Sequence, residues 1–327
     1  MSAPTRVALA LGSGGARGYA HIGVIAALEE RGYDIVSISG TSMGALVGGL
    51  HAAGKLDGYS DWVTDLNHRD LIRLLDPSIK APGVIRADKI LARVSELLDG
   101  ARIEELPIPF TAVATDLIAR REVWFQQGPV DVAIRASIAL PSIITPVMLN
   151  GRLLADGGLM NPIPIAPMAS TNADLTVAVS LAGDPEGQSG RAAVSESAEP
   201  RPAEEWMERF RRTAAQVLDR DVVRLVTSKF GAARSTTPGN AAEEVEEEIF
   251  GALPPGLRTL DMMELSLDTM QSVVTRYRLA GYPPDLLITI PKNACRALDF
   301  HKAAEMIPLG RKLALEALDR AASPGSE

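Results

Sequence analysis

Apolar positions along the first fifty residues alternate between two rhythms. Val7–Leu11 is a short apolar run that ends in glycines, Gly12-Ser13-Gly14-Gly15-Ala16-Arg17-Gly18. From about Tyr19 to Arg31, Ile22, Ile25, Ala26 and Leu28 recur at helical spacing. Asp34-Ile35-Val36-Ser37-Ile38-Ser39 is strand-like again. It runs into Gly40-Thr41-Ser42-Met43-Gly44 and then a small-residue helical stretch, Ala45–Ala53. Strand, glycine loop, helix, strand, glycine turn, helix is the order of a parallel α/β sheet.

The pattern continues less regularly. Tyr59–Leu66 and Asp88–Leu98 show helical spacing, and Pro77, Pro82 and Gly83 break the stretch between them. Phe110–Thr115 and Val123–Phe125 read as strands, and Val130–Ala139 as a helix stopped by Pro141. Val147–Leu149 and Arg152–Leu154 flank Asn150-Gly151, the signature of a two-residue hairpin turn, and lead into Asp156-Gly157-Gly158. Leu175–Ser180 is a buried strand. After Leu181 the composition changes: 183–205 is rich in Gly, Ser, Ala, Pro and Glu, and 231–258 is polar with an acidic run at Glu243–Glu248. Between them Trp206–Phe230 reads as an amphipathic helix with Arg209, Arg211 and Arg212 beside its apolar face. Such a helix can serve its own core, a homodimer contact or a membrane surface. A helix at Asp261–Leu279, a strand at Asp285–Ile290 and a final helix or helix pair over Phe300–Ala321 complete the pattern. A strand so late in the chain closes one sheet, so one domain is expected over 1–321, with polar insertions at 183–205 and 231–258 and a tail at 322–327.

Composition narrows the function classes. The 327 residues are 46% apolar, enough for a substantial core, and carry a formal charge of −8. That charge argues against a nucleic-acid partner held through phosphates. The single cysteine, Cys295, excludes internal disulfides and a cysteine-cluster metal site. Its expected role is that of a small buried apolar residue. The apolar run after Arg6 is too short to be expected as a signal peptide, and no uncharged stretch approaches the ~20 residues a spanning helix needs. The expected location is the cytoplasm, with peripheral membrane contact left open.

The candidate chemistry starts at Ser42. A Gly-x-Ser-x-Gly turn between strand and helix holds its serine in a strained backbone above the sheet edge. Its flanking glycines avoid collisions with the neighbouring elements, and the helix behind aims amide N–H groups at the reacting atom. The glycine loop at 12–18 has two readings. As a dinucleotide turn its third glycine is one place late, with Arg17 where that glycine should be. As an oxyanion hole, Gly14, Gly15 and Ala16 can supply N–H donors within about 3 Å of a developing alkoxide, joined by the Met43 N–H. Arg17 then locks the loop or meets an anionic group. A serine also needs a base. The four histidines are His21, His51, His68 and His301, and the order Ser42, Asp156, His301 is that of an α/β-hydrolase triad. Against the triad, only one or two strands precede Ser42. The other base candidate is Asp156, followed by two glycines. Its ordinary pKa of about 3.9 makes it a weak base unless burial raises it.

Taken together, Gly12–Gly18, Gly40–Gly44 and Asp156–Gly158, in this order, resemble the patatin-like phospholipases. The similarity is to small bacterial patatin-like esterases and to catalytic domains of the neuropathy target esterase type. Ala136-Ser137-Ile138-Ala139-Leu140-Pro141 and Asn161-Pro162-Ile163-Pro164 extend it. It covers about residues 5–182 and resumes more weakly at 262–318. The resemblance implies a three-layer α/β/α sandwich with a mainly parallel central sheet and a Ser42–Asp156 dyad. It also implies an oxyanion hole from the glycine loop, and hydrolysis of phospholipid or lysophospholipid esters without metal or cofactor. An acyltransferase using the same acyl-enzyme, a non-catalytic lipid-binding regulator and a nucleotide-binding protein are the rival readings.

Overall fold

The computed structural model describes residues 3–66, 70, 83–85, 87–183 and 259–322. The chain divides into two compact units, one of Met1–Gln188 with Met263–Glu327 and one of Ser189–Met262. Only 259–262 of the second unit are among the described residues. The expected helix at Trp206–Phe230, most of the polar segments flanking it and the expected tail therefore lie outside the described residues.

Strand β1 (Arg6–Leu11) leads through the glycine loop into α1 (Ala20–Glu30), β2 (Asp34–Thr41) and α2 (Met43–Ala52). Helix α3 (Leu56–Asp65), strand β3 (Gly83–Ile85) and helix α4 (Asp88–Leu98) follow. Next come β4 (Phe110–Asp116), β5 (Arg121–Phe125), α5 (Val130–Ser137), β6 (Ser142–Ile144), β7 (Val147–Leu149), β8 (Arg152–Asp156) and β9 (Leu175–Gly183). The last described stretch holds α6 (Thr259–Gly281), β10 (Leu286–Pro291) and α7 (Ala303–Ala322).

Among the described residues eight strands form one sheet, in the order β10-β9-β1-β2-β4-β8-β7 with β5 also on β4. From β10 to β4 every pairing is parallel, and β5, β8 and β7 add antiparallel strands. Asn150 and Gly151 both take positive φ, 49° and 74°, which closes the β7–β8 hairpin with the turn its sequence implies. The pairings around β4 decide where the site forms. Phe110–Val113 pair with Ile38–Thr41 of β2, and Ala114–Asp116 pair with Asp156–Leu154 of β8. Because β5 occupies 112–116 on the other edge, β2 and β8 share one edge of β4 end to end.

The two faces of the sheet are covered differently, which makes the three layers. Val7, Leu9 and Leu11 point into a large core with residues of α1, α2, α5 and α7, such as Ile25, Leu46, Ile134 and Leu318. Ala8, Ala10 and Ala178 point the other way, against Ile163, Ile165, Met168 and Leu279 of α6. The alanines on that face match the close approach of an irregular segment. Fully burying a Leu or Ile is worth ~1.5–3 kcal/mol, so the first face carries most of the stabilisation.

Two features go beyond the sequence pattern. Pro82-Gly83 and Pro141 read as breaks, yet Gly83–Ile85 and Ser142–Ile144 pair as a small parallel ladder of their own. The C-terminal segment is one helix, not two, and it lies against α1 backbone to backbone. A Cβ added at Gly310 would sit 2.0 Å from the Ala20 carbonyl oxygen, and one at Gly23 would sit 1.9 Å from that of Ile307. Arg311 also forms a bidentate pair with Glu30 at 2.7–3.0 Å. Gly310→Val is expected to lower the unfolding free energy by about 2–3 kcal/mol through overpacking, measured by urea denaturation. Lys312→Ala, one turn-face away on an exposed side chain, is expected to change it by less than about 0.5 kcal/mol.

Candidate active site

Ser42 stands at the junction of β2 and α2 with φ 57° and ψ −124°, a backbone that non-glycine residues rarely adopt. The turn is closed on both sides by backbone. A Cβ at Gly40 would lie 2.3 Å from the Gly44 carbonyl oxygen, and one at Gly44 would lie 2.0 Å from that of Leu11. The strain is held by a specific bond: the Ser42 N–H donates to Ser137 Oγ at 2.9 Å, and Ser137 Oγ donates to the Val113 carbonyl at 2.6 Å. Ser137 ends α5, so that helix reaches under the Gly40–Gly44 turn.

Asp156 ends β8. Its backbone N–H donates to the Ala139 carbonyl at 2.9 Å, and its carbonyl accepts from Thr115 Oγ1 at 3.0 Å. Its side chain accepts from Ser42 Oγ at 2.6 Å through Oδ2 and from the Gly158 N–H at 2.7 Å through Oδ1. Ser42 is 8% exposed and Asp156 2%. Burial pushes the Asp156 carboxyl up from its ordinary value to about 6, although the Ser42 and Gly158 hydrogen bonds pull it down. That places a carboxylate base close to working pH, where base catalysis is most effective.

The glycine loop packs on the start of α2, since a Cβ at Gly18 would lie 2.3 Å from Met43 Cβ. Gly14, Gly15 and Ala16 open a 3-10 turn over Gly15–Tyr19, and Met43 opens α2; amides at such positions have no intrahelical acceptor. Ala16 departs from its expected role, because its N–H donates to the Ala297 carbonyl at 2.8 Å. The oxyanion candidates are thereby reduced to Gly14, Gly15 and Met43. Gly15 has φ 58°, and a Cβ there would meet the Ala297 carbonyl oxygen at 2.3 Å. Arg17 is buried and donates through Nε to the Gly14 carbonyl and through Nη1 to that of Lys292, both at 3.2 Å. It thus ties the loop to the end of β10.

The histidines are placed elsewhere. His21 is fully buried and its Nε2 donates to the Gly12 carbonyl at 2.8 Å, which braces the loop from below. Burial lowers its pKa to about 4, so it is neutral at ordinary pH. His51 lies 3.7 Å from Glu29. His301 lies in the turn before α7, and His68 falls outside the described residues. Cys295 is buried, and desolvation pushes its thiol up to about 11. Among the described residues no three potential metal-ligating side chains gather, and no helix is long and apolar enough to cross a membrane.

A family model described as Patatin-like phospholipase matches residues 9–169, the span that contains the glycine loop, Ser42 and Asp156. An uncharacterized NTE family protein of Mycobacterium tuberculosis is 51% identical over 97% of this chain and 92% of its own length. This chain belongs to the patatin-like phospholipase family. Two further relatives match about half of this chain. A patatin-like phospholipase domain-containing protein of Caenorhabditis elegans is 31% identical over 53% of this chain and 13% of its own length. A protein named lysophospholipase nte1, of Emericella nidulans, is 30% identical over 54% of this chain and 12% of its own length. The family supports a lipid esterase or hydrolase activity for this chain.

Several residues that hold this patatin-like site were not singled out by sequence. Thr41 Oγ1 donates to the Asn161 carbonyl at 2.9 Å, and Asn161 Nδ2 donates to Glu122 at 2.9 Å. Glu122 also accepts from Trp124 Nε1 at 2.8 Å and pairs with Arg278. The strand before Ser42, the segment after Asp156, β5 and α6 are thus joined through one carboxylate. Ser137 and Asn161 had a signal in the motifs that carry the family resemblance; Glu122 and Arg278 had none.

Two outcomes are expected. In the pH profile of kcat/KM for an ester, the acid limb should fall through about 6, because only ionised Asp156 accepts the proton. For stability the sign is opposite: the native state holds a proton between the unfolded and folded pKa values. Stability should therefore decline as pH rises from about 4 to about 6. Asp156→Asn, neutral throughout, should flatten that decline and melt no lower than wild type at pH 8.

Proposed function

We propose that the chain is a serine acyl hydrolase that cleaves carboxylic ester bonds of phospholipids, lysophospholipids or related lipids through a Ser42–Asp156 dyad. The observation that carries this reading is the 2.6 Å hydrogen bond from Ser42 Oγ to Asp156 Oδ2, made by a strained, nearly buried serine with a carboxylate of raised pKa. Ser42 Oγ attacks the ester carbonyl carbon while Asp156 takes the hydroxyl proton. The oxyanion is held by the N–H groups of Gly14, Gly15 and Met43. As the tetrahedral intermediate collapses, the alcohol leaves with that proton and an acyl-enzyme remains on Ser42. Water then attacks the acyl carbonyl, gives its proton to Asp156, and releases the fatty acid as Ser42 recovers its hydrogen. A lipid ester is delivered from a lipid–water surface, so peripheral membrane contact belongs to the same reading.

Ser42→Ala and Asp156→Asn should each lower kcat by about 10⁴-fold or more on a p-nitrophenyl ester, because members of a catalytic unit fail together. Gly15→Ala, whose Cβ would meet the Ala297 carbonyl oxygen at 2.3 Å and push the loop's amides out of place, should lower it by about 10²-fold with a smaller change in KM. Esterase activity near wild type in either dyad variant would refute the assignment. So would collapse of activity in His301→Ala combined with survival in Asp156→Asn.

A further inference from the structure

The polar side chains on one face of the sheet converge on the stretch that follows Asp156. Thr41 is opposite Val113, Thr115 lies two residues beyond Val113, and Glu122 is opposite Thr115. Residues opposite one another, or two apart on a strand, project to the same face. Thr115 Oγ1 donates to the Asp156 carbonyl at 3.0 Å and Thr41 Oγ1 to the Asn161 carbonyl at 2.9 Å. Glu122 Oε2 accepts from Asn161 Nδ2 at 2.9 Å. Arg278 of α6 reaches the same stretch: its Nη2 donates to the Met160 carbonyl at 3.1 Å and pairs with Glu122 Oε1.

That stretch has to be held from outside. A Cβ at Gly157 would lie 2.1 Å from the Val113 carbonyl oxygen, and one at Gly158 would lie 2.7 Å from Ser13 Oγ. Close approach thus requires two successive glycines, which leave the backbone its greatest freedom. Yet the Gly158 N–H must meet Asp156 Oδ1, at 2.7 Å. The N–H groups of Met160 and Asn161 both return to the Gly157 carbonyl, at 3.1 and 2.8 Å, so the turn is closed on itself and a grip on Met160 and Asn161 is a grip on Gly158. Asn161 Oδ1 is buried without a partner, so Glu122 alone orients the Asn161 side chain.

We propose that Glu122 and Arg278 are positioning residues for ester hydrolysis, holding the Gly157–Asn161 turn so that the Gly158 N–H stays on Asp156 Oδ1. The proposal rests on the hydrolase reading above. Among the described residues the Asp156 carboxylate bonds to Ser42 Oγ and the Gly158 N–H and to no charged side chain. The Gly158 bond favours the ionised carboxylate, so its loss makes Asp156 harder to ionise.

The test measures kcat and KM on p-nitrophenyl butyrate across pH, with thermal unfolding as the check on folding. Arg278→Met, which keeps the aliphatic stem, should lower kcat about tenfold or more with KM within about twofold of wild type. The acid limb of kcat/KM should move up by about half a unit. Glu122→Gln, whose amide N–H would face Arg278, should move the limb the same way. A through-space field would move the two variants in opposite directions, since one loses a positive charge and the other a negative one. Arg278→Lys, still able to pair with Glu122, should return kcat to within about threefold of wild type. Arg311→Met, which breaks the separate pair with Glu30, should leave kcat and the acid limb unchanged. Carboxyl carbon NMR of Asp156, assigned by its loss in Asp156→Asn, needs no turnover and separates this proposal from the hydrolase reading. Its titration midpoint should rise in Arg278→Met and in Glu122→Gln. An unchanged midpoint, or opposite shifts in the two variants, overturns the proposal whether or not wild type cleaves an ester. If Arg278→Met fails to fold, Glu122→Gln decides alone, because a field effect there would lower the midpoint.

Discussion

Between Val113 and Ala114 one edge of β4 changes partner, from the parallel strand β2 to the antiparallel strand β8. The rest of the site depends on this shared edge. Thr41, the residue before Ser42, is opposite Val113, and Asp156 is opposite Ala114, so two chain positions 114 residues apart are set side by side. The backbone ladder fixes both to a fraction of what flexible loops would allow, and the Ser42–Asp156 hydrogen bond follows from it. Helix α5 then pins the pair from one end. Ser137 holds the Ser42 N–H and the Val113 carbonyl, and Ala139 holds the Asp156 N–H. Even the glycine after the carboxylate belongs to this arrangement, because a Cβ at Gly157 would lie 2.1 Å from the Val113 carbonyl oxygen.

Close packing at that edge also sets the electrostatics. An aspartate with little access to water resists ionisation, and two hydrogen bonds to its oxygens only partly offset the desolvation. The result is a carboxylate matched to a serine hydroxyl without an intervening imidazole. The glycine loop meets the same turn from the β1 side, and three braces hold it: His21 buried under Gly12, Arg17 between Gly14 and Lys292, and the Ala297 carbonyl against Ala16. A loop so tied has its amides in place before a substrate arrives, as the proposed oxyanion role requires.

The local pieces of this fold were legible in the sequence because each is short-range. Val7–Leu11 and Ile35–Ile38 are apolar runs ending in glycines, and Asn150-Gly151 announces its hairpin. The joins were not legible. Nothing in Ala112–Asp116 says that one edge serves two strands, and nothing in Gly83–Ile85 says that it pairs with Ser142–Ile144. Glu122 drew no reading from its surroundings, since its partner Arg278 is 156 residues away. Ala16 shows the reverse limit. Its place in the loop suited an oxyanion donor, but the carbonyl that takes its N–H comes from a turn near the C-terminal helix, beyond the reach of local pattern. The polar segments at 183–205 and 231–258 carried composition without periodicity, and the sequence there suggested no chemistry to place.

The central claim is that Ser42 carries the acyl group. Mixing the wild-type protein with excess p-nitrophenyl ester, quenching in acid within one turnover and mapping the protein by peptide mass spectrometry tests it directly. The account predicts one acyl mass added to the peptide that contains Ser42, disappearing as turnover ends. An acyl group on any other residue, or ester turnover with no adduct at any quench time, would contradict it.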